Sequence, residues 1–308
     1  MKTKEELLKL YNLELDELLS ISAEYVKDKV EFCSLINARN GKCSQNCKYC
    51  AQSSHYCTNI ESYPLVSVDE VRKAALDAKS HKASRFAIVT SGKTPDEGRD
   101  FQIELDMIKE INKIDGLQSC ASIGILNEEQ AKQLADAGLK RFHHNINTSE
   151  SYYPEVCTTH SWRDRFNTCK LVKKYGMELC CGVILGMGES VEQRVEMAME
   201  LAEIQPDSIP INILMPIPET PFENYYDKID EENVLRTLAV FKIANPNSIL
   251  RFCGGRMRLS EENQRKALKT CVEGIMVGNY LTTIGKAPEE DIKTVNELGK
   301  EILCATKL

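Results

Sequence analysis

Arg85-Phe86-Ala87-Ile88-Val89-Thr90, a helical pattern over 99–114, and then Gln118-Ser119-Cys120-Ala121-Ser122-Ile123 form the stretch that decides the fold. The two short runs have the length and composition of buried strands. Between them apolar residues recur every three to four positions, the period of an amphipathic helix. Gly116 stands just past that helix, where a left-handed cap turns the chain back. Strand, helix and strand at this spacing predict a βα unit of a parallel sheet.

The same rhythm runs outward in both directions. Further strand-like runs lie at 32–36, 141–146, 178–184, 208–213, 249–253 and 274–277, which makes eight. Helical patterns alternate with them at 68–82, 127–137, 162–175, 190–204, 231–245, 260–271 and 288–303. Gly138 and Gly176 sit at helix-to-strand joints, and Ser67-Val68-Asp69-Glu70 and Asn127-Glu128-Glu129-Gln130 read as capping boxes. Eight β/α units in 308 residues predict an α/β fold, a (β/α)8 barrel of the TIM type. Two short helices precede it, with Asp16 placed to cap the second. With no linker rich in Gly, Ser or Pro, 1–308 is expected to be one domain: N-terminal helices over 1–30, barrel over 31–280 and a C-terminal segment over 281–308.

The chain carries thirteen cysteines and a formal charge of −7. It opens on charged residues with no apolar leader, so a reducing, cytoplasmic setting is expected. There, clustered thiols point to metal rather than to disulfides. No apolar stretch is long enough to span a bilayer. The negative balance argues against nonspecific nucleic-acid binding.

Cys43-Ser44-Gln45-Asn46-Cys47-Lys48-Tyr49-Cys50 follows the first strand and so falls at the C-terminal mouth, where such barrels keep their chemistry. Three thiols this close can converge on one centre. A ferredoxin-type run would supply a fourth, so a cubane cluster held here keeps one iron open. A zinc site would have to borrow its fourth ligand from elsewhere. Cys33, Cys120, Cys180 (or its neighbour Cys181) and Cys253 lie within predicted strands 1, 3, 5 and 7. Taken singly, each reads as a small buried hydrophobe. Alternate strand residues point into a barrel, however, so together they predict an inner, auxiliary metal cluster. Cys181 is expected to point outward. Cys57, Cys157, Cys169, Cys271 and Cys304 fall on predicted loops or helices and receive no role.

The C-x-x-x-C-x-aromatic-C motif resembles the signature of the radical S-adenosylmethionine enzymes. The stretch 40–54, Arg141-Phe142-His143-His144-Asn145-Ile146-Asn147-Thr148-Ser149, Gly186-Met187-Gly188-Glu189, Ile209-Pro210-Ile211-Asn212 and Asn279-Tyr280-Leu281-Thr282-Thr283 resemble the biotin synthase family in particular. The likeness runs from about Phe32 to the C-terminus.

That resemblance implies a [4Fe–4S] cluster on Cys43, Cys47 and Cys50 whose open iron chelates S-adenosylmethionine. Reductive cleavage of the cofactor gives a 5′-deoxyadenosyl radical, which takes hydrogen from C9 and C6 of dethiobiotin. An auxiliary cluster then donates the sulfur that closes the ring. By position, Tyr49 packs near the adenine. Asn147 stands where the family often places an aspartate against the ribose. Arg165 meets the cofactor's carboxylate, a solvated helix face being its other reading. Asn145 and Asn212 hold the ureido ring, and Thr282 and Thr283, with Arg39, the substrate carboxylate. The family also implies a reducing partner of the flavodoxin or ferredoxin type, and a homodimer.

One part of the family pattern is missing. Its better-known members hold a [2Fe–2S] cluster on three strand cysteines and an arginine; Cys120, Cys180 and Arg251 match, but the first of those cysteines, on strand 2, is replaced by Ala87. Cys33 and Cys253 stand where those members tend to have serine. The expectation is a rearranged auxiliary cluster of the four-iron type on Cys33, Cys120, Cys180 and Cys253, with room in that reading for an extra sulfide as the atom to be donated. A [2Fe–2S] site with a substitute ligand is the lesser form. Arg251 becomes a neighbouring donor, since hydrogen bonds to cluster sulfur tune its potential. Two alternatives stay open: a barrel relative of the hydrogenase maturase or methylornithine synthase type, and a non-catalytic iron–sulfur carrier.

Overall fold

A computed structural model describes residues 2–95, 98–278 and 285–304. Its strands are β1 (Lys29–Arg39), β2 (Arg85–Thr90), β3 (Gln118–Ser122), β4 (Arg141–His143), β5 (Glu178–Cys180), β6 (Val183–Leu185), β7 (Ser208–Ile213), β8 (Ile249–Phe252), β9 (Gly274–Met276) and β10 (Glu301–Leu303). Each of β1 to β4 pairs in parallel with the next, β5 pairs with β7, β7 with β8 and β8 with β9, and β9 returns to β1 at Cys33↔Met276. β6 continues the line of β5 and pairs with β7. The result is the eight-stranded (β/α)8 barrel that the sequence rhythm implies, with a helix after each strand position.

Why the chain closes this way follows from alternation along the strands. Phe32, Phe86, Phe142, Leu179, Leu250 and Phe252 join the apolar core shared with the outer helices. The intervening positions Cys33, Ala87, Cys120, Cys180 and Cys253 are buried but stand apart from that core, inside the lumen. The capping boxes at Ser67 and Asn127 are both formed, and Gly116, Gly138 and Gly176 all have positive φ.

Three expectations need correcting. The helix Leu15–Ala23 is preceded by Glu14, which makes no side-chain cap bond; Asp16 sits inside the first turn, where a negative charge still suits the helix dipole. The run 178–184 is two strands, not one. At the break Gly182 passes so close to Pro210 that a Cβ there would lie 1.9 Å from the Pro210 carbonyl oxygen, and proline has no N–H to offer the ladder. Finally, the last helix stops at Glu297. Gly299, at φ 71°, turns the chain so that Glu301–Leu303 adds to the start of β1 as β10.

The N-terminal helices Lys4–Tyr11 and Leu15–Ala23 dock on the outer layer. Tyr11 Oη donates to Asn233 Oδ1 (3.0 Å) and accepts from Arg194 Nη1 (3.1 Å).

Candidate active site in the barrel lumen

The lumen is built in layers. At the bottom, Glu31 on β1 takes guanidinium groups from three strands: Arg85 Nε at 2.6 Å, Arg141 Nη1 at 2.8 Å, and Arg251 Nη2. Arg85 and Arg141 also hold Glu178. Gly274 leaves room for this, since a Cβ there would meet Arg251 Cζ at 3.2 Å. Burial works against a charged Glu31, but Arg251, Arg141 and Arg85 hold its carboxyl well below the usual range. Three guanidiniums against two carboxylates leave this layer with one formal positive charge in excess. Arg85 Nη1 is buried with no hydrogen-bond partner.

Beside this floor lie Cys33, Cys120, Cys180 and Cys253. Burial pushes the thiols of Cys120, Cys180 and Cys253 up, Cys33 lies close enough to add to each, and the floor arginines pull the other way. Burial pushes Cys120 up to about 12, with Arg85 and Arg141 pulling the other way. Arg251 is engaged through Nε with Ser208 Oγ (3.2 Å) as well as with Glu31. Cys181 points outward, its sulfur 3.8 Å from that of Cys169 on the helix Trp162–Lys174. Higher on β4, burial and then the charges of Arg141, Arg251 and Arg85 pull His143 down to about 3, so a neutral imidazole separates floor from mouth.

At the mouth the cysteine loop folds onto itself. Cys43 N–H donates to Gln52 O (2.9 Å), Cys50 N–H to Cys47 O (3.0 Å) and Ser53 Oγ to Gln45 O (2.6 Å). The loop is tied to the segment after β4, where Lys48 N–H donates to Val156 O (3.0 Å) and Asn46 Oδ1 accepts from the N–H groups of Thr158 and Thr159. Cys43, Cys47 and Cys50 therefore line one cavity, together with Asn145, Asn147 and Arg165. Tyr49, Cys50, Ile184 and Asn212 also line an adjoining, more apolar cavity with Leu35 and Met276.

Arg165 turns inward. It donates to Tyr153 Oη (2.8 Å), His160 Nε2 (3.3 Å) and the Asn145 carbonyl (2.9 Å), so the solvated-face reading falls away. Asn145 Oδ1 accepts from Gly182 N–H, and Asn212 bridges Val183 O and Gly254 N–H. Asn147 is held at φ 67° by backbone bonds to Gly182 and Ile184, and its Nδ2 is buried without a partner. Arg39 is tied to Ser91 O and Asp100, and neither cavity has it in its wall. Thr282 and Thr283 lie outside the described residues.

These groups fit the cofactors that the motif implies. The triad's thiols converge on a cavity, Cys50 is pushed up to about 11 by burial, and a metal would take its proton outright. An orphaned amide at Asn147 suits a hydroxyl-bearing ligand. Asn147→Gly keeps the left-handed backbone accessible while removing that amide. It is expected to weaken S-adenosylmethionine binding about tenfold, or about 1.4 kcal/mol, by equilibrium dialysis. An unchanged Kd would leave the amide with no part in binding.

Comparison with known proteins bears on the same residues. Residues 39–202 match the radical SAM superfamily, and 210–301 the Biotin and Thiamin Synthesis associated domain. A biotin synthase of Acetivibrio thermocellus is 46% identical over 274 residues, covering 89% of this chain and 85% of that protein. Another, from Pelotomaculum thermopropionicum, is 41% identical over 98% of this chain and 95% of its own length. The chain belongs to the biotin synthase family. Solved structures of the hydrogenase maturase HydG (TM-score 0.83, 97% of this chain and 72% of that one) and of methylornithine synthase (TM-score 0.82, 98% and 94%) are each 17% identical, a likeness of fold alone.

Within this biotin synthase family member, sequence reasoning missed two groups. Glu31, Arg85 and Arg141 form the floor; their signal was a charged residue at the inward phase of three strands. The other is Cys157, whose sulfur lies 3.7 Å from Cys47 and 3.3 Å from His160 Nδ1. Only folding brings the loop 157–160 over the triad.

Proposed function

We propose that this chain converts dethiobiotin to biotin. In this reading a [4Fe–4S] cluster on Cys43, Cys47 and Cys50 works with S-adenosylmethionine, and an auxiliary four-iron cluster on Cys33, Cys120, Cys180 and Cys253 provides the sulfur. The observation that carries it is the set of four lumen thiols beside a floor with excess positive charge and an unpaired guanidinium N–H. An anionic all-thiolate cluster would meet both needs. Arg251, committed to Glu31 and Ser208, serves as a neighbouring charge rather than a ligand.

The cluster and cofactor would supply the hydrogen abstractions at C9 and C6. The chain's own residues bind, orient and exclude water. Asn145 and Asn212 keep amide capacity for a ureido ring: beyond their backbone partners Asn145 retains both N–H donors and a lone pair on Oδ1, and Asn212 one N–H and one lone pair. Leu35, Ile184 and Met276 would line the substrate's hydrocarbon chain. Thr282 and Thr283, with Arg39 released from Asp100, would take its carboxylate. A barrel lumen keeps a reactive alkyl radical from water. A flavodoxin- or ferredoxin-type reductant, a homodimer and a cytoplasmic setting complete the proposal. No helix among the described residues is long and apolar enough to cross a membrane.

Anaerobic incubation of the reconstituted protein with dethiobiotin, S-adenosylmethionine and a reductant tests this. Biotin is expected, with one 5′-deoxyadenosine for each C–H bond broken. 5′-Deoxyadenosine without biotin would favour a barrel relative that inserts no sulfur. Bound iron without cofactor cleavage would favour a carrier.

A further inference from the structure

Cys157 is 3% exposed and in contact with a cysteine of the triad. Where its proton goes can be worked out from its neighbours. The single Arg165 Nε–H is shared between Tyr153 Oη (2.8 Å) and His160 Nε2 (3.3 Å), so that ring nitrogen faces a donor, accepts, and leaves the ring proton on Nδ1. Nδ1–H then donates toward Gln45 Oε1 (2.9 Å) and Cys157 Sγ (3.3 Å). The Cys157 sulfur thus receives a hydrogen bond from the imidazole and, in the metal-free chain, a second from the Cys47 S–H (3.7 Å). Asn46 Oδ1, 3.4 Å away, already accepts from Thr158 N–H, Thr159 N–H and Thr159 Oγ1. Thr159 Oγ1, also at 3.4 Å, is a neutral acceptor. The donation from Cys47 is the main cause that holds the Cys157 thiol low in the metal-free chain. Once Cys47 binds metal it has lost that proton and can no longer donate, so Cys157 keeps its own S–H and the Cys47 sulfur, at 3.7 Å, becomes the charged acceptor within reach.

The ligand atoms of Cys47, Cys157 and His160 lie within 4.8 Å of one another, close enough for a single metal ion. Two features speak against that use. Both imidazole nitrogens are already committed, and the Arg165 cation lies against the ring. The set is a hydrogen-bond chain that ends on a cluster ligand.

We propose that Cys157, held by His160 and Arg165, donates an S–H···S hydrogen bond to Cys47 and thereby raises the reduction potential of the mouth cluster. The proposal rests on Cys43, Cys47 and Cys50 holding that cluster. A hydrogen bond to a ligand sulfur draws electron density from the iron and favours the reduced state, the state from which the cofactor is cleaved. Cys157 is a positioning residue here, since it touches the ligand and not the reacting atoms.

The test is a redox titration of the anaerobic holoprotein, following the part of the reduced [4Fe–4S] EPR signal that changes when S-adenosylmethionine is added. Cys157→Ala is expected to lower the one-electron reduction equilibrium about tenfold, which is about 59 mV more negative. Cys157→Ser, which keeps a donor, should recover most of that shift, and His160→Gln should move the potential the same way by less. Equal potentials in wild type and Cys157→Ala would overturn the proposal. If Cys157→Ala takes up no cluster, the wild type decides: the cofactor-sensitive Fe–S stretching bands in resonance Raman spectra should shift in D2O, and no shift overturns it. Survival of the cofactor-sensitive signal in Cys43/Cys47/Cys50→Ala would show instead that the underlying cluster assignment had failed.

Discussion

Replacing Cys33 or Cys253 by alanine is expected to remove the inner iron and abolish biotin formation, while cleavage of S-adenosylmethionine at the mouth continues. Both side chains are buried, and burial first, then the neighbouring Cys33 and Cys180, pushes the Cys253 thiol up. A four-iron cluster commonly needs all four thiolates, and Ala87 offers no substitute on β2. Total iron should fall by about half if both sites carry four irons. Mössbauer spectra with iron and sulfide counts would separate the sites, with Cys43/Cys47/Cys50→Ala isolating the inner one. A [4Fe–4S]-type signal in that triple variant would agree with the four-cysteine set. A [2Fe–2S] signal would mean that the older site survives with a replacement ligand. If either single variant keeps both its auxiliary iron and its sulfur insertion, the four-cysteine assignment is wrong.

Glu31→Gln should be the most destabilising single change on the floor. The carboxylate answers Arg85, Arg141 and Arg251 at once, and all three guanidiniums are buried. Removing one member of a buried ion pair costs about 3–5 kcal/mol, because the partners stay buried and uncompensated. The folding equilibrium should therefore shift more than a hundredfold, read from urea unfolding at neutral pH. The acid dependence follows from the direction of the Glu31 shift. A carboxyl depressed in the folded state contributes stability above its unfolded value, near 4.3. That contribution is lost as pH falls from there toward the folded value. Wild type should thus lose stability below about pH 5 more steeply than Glu31→Gln. Parallel acid profiles would show that the floor charges do not depend on Glu31.

Much of the fold was legible because barrel strands and helices have different periods. The alternation of Phe32 with Cys33 and of Arg251 with Phe252 shows in sequence, since each strand residue faces either lumen or helices. The final strand was not legible. Glu301-Ile302-Leu303 has no strong pattern of its own, and its pairing partner at Lys29–Glu31 is distant in the chain. The split at Cys181-Gly182 depends on the approach of Pro210, likewise a nonlocal contact.

For the site, the chain order alone placed Cys43, Cys47 and Cys50 together and put them after the first strand, because local spacing sets which thiols can share a centre. The inward phase of Cys33, Cys120, Cys180 and Cys253 was also readable from the two-residue strand repeat. Tertiary structure decided what stands around them. It took Arg165 off the solvated face, joined Glu31 to three arginines from separate strands, and laid Cys157 against Cys47. Those outcomes depend on barrel closure, which brings residues more than a hundred positions apart within hydrogen-bonding distance. No local period in the chain encodes such a meeting.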